Sequence, residues 1–138
     1  MSPEPDPQAK IPIFDLRNNI GWIDSFGSLP YRIRYSITAS SKLVNKKEPG
    51  RNMLTPNTGG GYSLSVFIHK SAPERFRPVV FFHELQEARL MHGDQQLDKK
   101  EAHKKAATET AVYVQKLLSQ EELKAYKAWQ STLIDPSS

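Results

Sequence analysis

The sequence predicts an α+β domain in which a small antiparallel sheet precedes two or three helices. Period-two apolar alternation is confined to the chain before Pro73, and long helical stretches without a breaker follow Pro78. A length of 138 residues corresponds to one domain.

Taken in order, residues 1–10 hold prolines at alternating positions and little to bury, which predicts an extended, flexible linker, with a single α+β domain over residues 11–138. Ile11 and Ile13 alternate with other residues, and Asn18-Asn19 offers a turn before a strand at Ile20–Ile23. Tyr31, Ile33, Tyr35 and Ile37 alternate with Arg32, Arg34 and Ser36, so this strand should bury one face and wet the other. Ser40 to Gly61 reads as a long polar loop; it could cradle phosphate at Gly59-Gly60-Gly61, but no Gly-Lys-Ser/Thr signature follows. A second alternating strand runs from Tyr62 to Ile68 and ends at Lys70-Ser71-Ala72-Pro73. Pro78 suits a first helical turn, and Val79–His92 has no breaker before Gly93. A second helix is predicted from Asp98 to about Leu118. Ser119-Gln-Glu-Glu122 is a capping-box sequence for a third that ends near Ser131.

There is no cysteine, which excludes a Cys nucleophile, a thiolate metal site and disulfides. A metal site must come from Asp, Glu and the four histidines, His69, His83, His92 and His103. The acidic, proline-rich start is no signal peptide, and Val79–Phe82 is too short an apolar run to cross a bilayer. Export on a signal of its own is therefore not expected, whereas delivery within a larger chain stays open; no membrane partner is expected. The net charge is +4, with Arg32, Arg34, Lys42, Lys46, Lys47 and Arg51 opposed locally only by Glu48. A solvated strand edge and loop is favoured over a nucleic-acid partner, because no aromatic-plus-basic recognition motif accompanies these charges in the sequence.

On a helix, His83 and Glu87 share a face one turn apart and can address one ion. Glu84 projects about 100° round the axis, beside that ion, as in the H-E-x-x-H helix where the intervening Glu activates water. Zinc accepts carboxylate oxygen at nearly the imidazole distance, so Glu87 is an admissible ligand, although added negative charge should weaken the zinc as a Lewis acid. The second helix offers His103 and Glu109, about 9 Å apart along the axis, too far for both to reach one ion. His103 lies among Ala102, Ala106 and Ala107, which allow close helix approach, and is preferred; Glu109 is assigned to a supporting contact or a buried ion pair. His92 is the rival, one residue short of the outer-histidine separation in H-E-x-x-H-x-x-G-x-x-H and without the glycine. His69 ends a strand and reads as a surface histidine. The alternative to a metal site is a helix whose His and Glu side chains pair with Arg77 or Arg89.

The run Phe82-His-Glu-Leu-Gln-Glu-Ala88 resembles the helix of zincin-type metallopeptidases, particularly small effector and toxin peptidases, with Glu87 where those carry His. Its pairing with Ala102-His-Lys-Lys-Ala106 and Glu109 is similar to a subfamily keeping this variant. The resemblance implies a zincin-like, zinc-dependent peptidase acting on a peptide or protein substrate. Zinc would be held by His83, Glu87 and His103, with Glu84 as general base and the strand Tyr62–Ile68 as the edge that pairs with substrate. Separately, Asn18-Asn-Ile-Gly-Trp-Ile-Asp-Ser-Phe-Gly27 resembles a degraded form of the segment closing Rhs-repeat cores, without its prolines. That implies a toxin tip carried by a larger exported protein and met by an immunity partner; an ordinary strand explains the same residues. The rival functional readings are a non-enzymatic interaction domain and a basic toxin nuclease acting on RNA through His69 or His83.

Overall fold

The computed structural model describes residues 12–40, 42–93 and 95–133. The expected linker at 1–10 and Ile11 lie outside them. The elements run β1 (Ile20–Ile23), β2 (Ile33–Thr38), β3 (Gly50–Pro56), β4 (Tyr62–His69), a short 3-10 turn (Glu74–Phe76), α1 (Arg77–His92), α2 (Lys99–Leu117) and α3 (Gln120–Gln130). This is the α+β order expected, strands first and three helices after. No described helix is long and apolar enough to cross a membrane.

The sheet is mixed rather than antiparallel throughout. Its order is β1-β2-β4-β3, with β4 inserted between β2 and β3 and parallel to β2. The physical reason is the connection: β2 and β4 run parallel, so the chain between them must cross over, and it does so by way of β3, which lies antiparallel on the far side of β4. β3 itself lies within the stretch expected to be a polar loop. Gly59-Gly60-Gly61 closes the β3–β4 hairpin, with Gly60 and Gly61 at φ of 102° and 73° and Asn57 N donating to Gly61 O at 2.9 Å. β4 is consequently an interior strand, and the edges are β1 and β3.

Alternation sorts the two sheet faces. Ile33, Tyr35 and Ile37 of β2 and Leu64, Val66 and Ile68 of β4 are buried on the helix side, as the period-two pattern requires. Ile20–Ile23 pairs along its length with β2, and Gly21 lies directly beneath the Tyr35 ring, which leaves no room there for a Cβ.

α1 is covered on two sides. Phe81, Leu85 and Ala88 pack into the sheet-facing core, while Leu90 meets Ala102 and Ala106 of α2. The alanines expected to admit a close neighbour do so. Phe82 stacks on Tyr113 of α2 with ring centroids 3.9 Å apart. Asp98 caps α2 through the Glu101 amide, and Ser119 and Glu122 form the expected capping box of α3. Phe76, Tyr126 and Trp129 join α3 to the start of α1.

Phe81 is fully buried at the sheet–helix contact and Val112 is half-exposed on α2. Phe81→Ala should lower unfolding free energy by about 3–5 kcal/mol, and Val112→Ala should change it by no more than about 0.5 kcal/mol. Urea denaturation measures both, and equal effects would contradict this assignment of the core.

Candidate metal centre

His83 and Glu87 lie one turn apart on α1, on the side that meets α2, and His103 comes to them from the second turn of α2. The three side chains converge. His83 Nε2 lies 3.3 Å from His103 Nδ1 and 3.7 Å from Glu87 Oε2, and His103 Nδ1 lies 2.9 Å from the same Oε2. Donors bound at about 2.0–2.1 Å in a tetrahedral array stand about 3.3 Å from one another, so this triangle has the size of one face of a zinc site. The two imidazole planes are near perpendicular, at 77°. Glu87 is buried, while His83 and His103 each keep about a fifth of their side-chain surface in contact with solvent. The cluster thus keeps partial contact with solvent through the two imidazoles.

The surroundings favour ligation. Burial holds the His83 imidazole down to about 4, with Glu87 acting against that and His103 adding to it. The ring is therefore neutral at neutral pH, the form a metal requires. Its Nδ1 is 3.3 Å from Thr110 Oγ1. In the tautomer whose Nδ1–H donates to Thr110, Nε2 is left as an acceptor near His103 Nδ1 and Glu87 Oε2.

Glu84 occupies the flank toward β3. Asn52 Nδ2 donates to Glu84 Oε1 at 2.7 Å and approaches Glu87 Oε1 at 3.4 Å, so one amide bridges the two carboxylates. Burial pushes the Glu84 carboxyl up to about 8, helped by the Glu87 charge and opposed by Asn52 and Lys99. Gly50 permits this approach of strand to helix: a Cβ there would stand 2.9 Å from Glu84 Oε2 and 2.7 Å from Val80 Cγ1.

The other candidates are placed elsewhere. Glu109 accepts from Gln86 Nε2 at 2.9 Å and pairs with Arg89 at 3.7 Å, the ion-pair role considered for it. His92 packs edge-on to Tyr31 and lies outside the convergent group. His69, expected on the surface, is buried; its Nδ1 holds the turn after β4 through the Ser71 amide and hydroxyl.

Asn52 and Thr110 were not legible as site residues. Asn52 fell in the stretch read as loop, although the glycine turn before an alternating strand is a hairpin signal calling for a preceding partner. Thr110 lies seven residues after His103, two turns along the same face, which is the one sequence signal it offers. With this geometry in hand, we find no protein family, curated protein or solved structure that matches the chain.

Between pH 4.5 and about 8 the unfolded chain carries Glu84 ionised while the folded protein keeps it protonated. Glu84 therefore makes native stability fall as pH rises through that window. In chelator-treated protein, Glu84→Gln should gain stability over the parent progressively from pH 5 to 8, by at most about 1.4 kcal/mol per pH unit. A stability difference independent of pH in urea titrations would contradict the burial of an ionisable carboxyl here.

Proposed function

We propose that the domain is a zinc-dependent hydrolase of the metallopeptidase type, with His83, Glu87 and His103 as metal ligands and Glu84 as the proton-handling group. The single observation carrying this reading is the donor triangle, with its edges of 2.9, 3.3 and 3.7 Å. Two imidazoles, one carboxylate and an open position form a donor set of catalytic zinc sites in peptidases. Glu87 in the motif helix is balanced by His103 outside it, so the set as a whole is no more anionic than that.

A bound zinc would supply Lewis acidity toward a water and a scissile carbonyl. The chain's own groups do the rest. Thr110 holds the His83 ring, and Asn52 turns Glu87 Oε1 aside so that Oε2 faces the imidazoles. Glu84 has Oε1 fixed by Asn52 and can take or release a proton near neutral pH, which suits general acid–base work. β3 is an edge strand next to α1, and its outer backbone groups could pair with an extended peptide. This replaces β4 in that role, and Asn52 then joins the binding edge to the centre.

A second reading rests on the 2.9 Å His103–Glu87 contact, which is also a good hydrogen bond. On that reading the cluster is a closed polar contact in an interaction domain. Metal analysis separates the two. Protein purified without chelators should carry one zinc per chain, and His103→Ala should lose it. Glu84→Gln should keep zinc while peptide hydrolysis falls by about a hundredfold or more. Absence of zinc, with no rise in melting temperature on adding it, would sink the metallopeptidase reading.

A further inference from the structure

The face of the sheet turned away from α1 is uncovered by any described helix, and strand register sets what it displays. Trp22 of β1 lies opposite Arg34 of β2, which lies opposite Ser65 of β4, which lies opposite Met53 of β3. One pleat along, Ile20, Ser36, Phe67 and Arg51 form the parallel row. Trp22 is 46% exposed, and the Arg32 guanidinium covers one side of its ring at 4.4 Å. None of the four strands contains Asp or Glu. Asp24, at the end of β1, pairs with Arg32 at 3.3 Å, whereas Arg34 and Arg51 have no ion pair among the described residues. The surface is therefore basic, nearly free of acids, and set with two aromatic rings separated by small serines.

We propose that this sheet face binds single-stranded nucleic acid, with Trp22 and Phe67 stacking on bases and Arg34 and Arg51 meeting phosphates. The charge is complementary to a polyanion. Strand spacing and rise place the two rings about 12 Å apart, far enough to take separate bases rather than to clamp one. Ser36, half-buried, and Ser65, buried, are the small residues between them, so neither position raises a bulky side chain between the two rings. A flat platform of this kind needs bases freed from a duplex, which selects single strands. An acidic polypeptide would satisfy the arginines but would leave the spaced rings without flat partners. The sequence conceals this surface because Trp22, Arg34, Arg51 and Phe67 come from four different strands. The proposal is independent of the metal centre, which lies on the other side of the sheet.

The full chain should bind a labelled oligouridylate of about 12 nucleotides in fluorescence anisotropy, more weakly as salt rises. Trp22→Ala should weaken binding by about tenfold. The Arg34→Ala/Arg51→Ala double variant should reduce the slope of log K against log salt by about 1.4. These side chains are on the surface, so unfolding midpoints should stay near the parent's, and His103→Ala should bind as the parent does. No binding, or affinities unchanged in both variants, would overturn the proposal. A duplex bound as tightly as the single strand would reduce the face to plain electrostatics and overturn the stacking. Tighter binding of polyglutamate would assign it to an acidic polypeptide instead.

Discussion

A helix covered on two sides offers its polar groups little solvent, and α1 is such a helix. Phe81, Leu85 and Ala88 lock it to the sheet, and Leu90 and Phe82 lock it to α2. Yet His83, Glu84, Gln86 and Glu87 sit in the same stretch, the last three of them buried. Each must find its partner inside the protein. The rest of the molecule is arranged accordingly: β3 brings Asn52 to Glu84, α2 brings His103 and Thr110 to His83 and Glu87, and Glu109 reaches back to Gln86 and Arg89.

That constraint shapes the electrostatics of the centre. Glu84 and Glu87 approach each other in a desolvated space and share one amide donor. Two carboxylates so placed do not ionise together without a compensating cation, and Glu84 is the one that keeps its proton. His83 is likewise held neutral by burial. The cluster thus brings two imidazoles and two carboxylates together in a largely desolvated space. The same low dielectric that makes an unpaired group costly strengthens a matched one.

The sheet separates two chemistries. Its helix side meets the His83–Glu87–His103 cluster through Asn52, with Gly50 making room, and its outer side presents arginines and aromatic rings. Both depend on alternation along single strands: Asn52 faces α1 while its neighbours Arg51 and Met53 face outward. A one-residue slip of β3 would exchange these roles and disable both faces.

Local signals in the chain determined much of the protein. The helices, their Asp98 and Ser119 caps, the Gly93 stop and the alternation of β2 all follow from periodicity and capping within a few residues. The four-residue spacing of His83 and Glu87 is likewise local, and the small residues around His103 marked a close helix contact. What local pattern could not decide was anything set by strand order. β3 is an edge strand that turns a polar Asn to the helix, so it lacks the apolar contrast that betrays a strand, and it passed for loop. Whether β4 was edge or interior, which residue reached Glu84, and which arginines shared a face with Trp22 and Phe67 depend on pairing between distant segments. Only tertiary packing chooses among such pairings, because the free energy that selects them is burial of the assembled sheet against α1 rather than any preference of the residues in sequence.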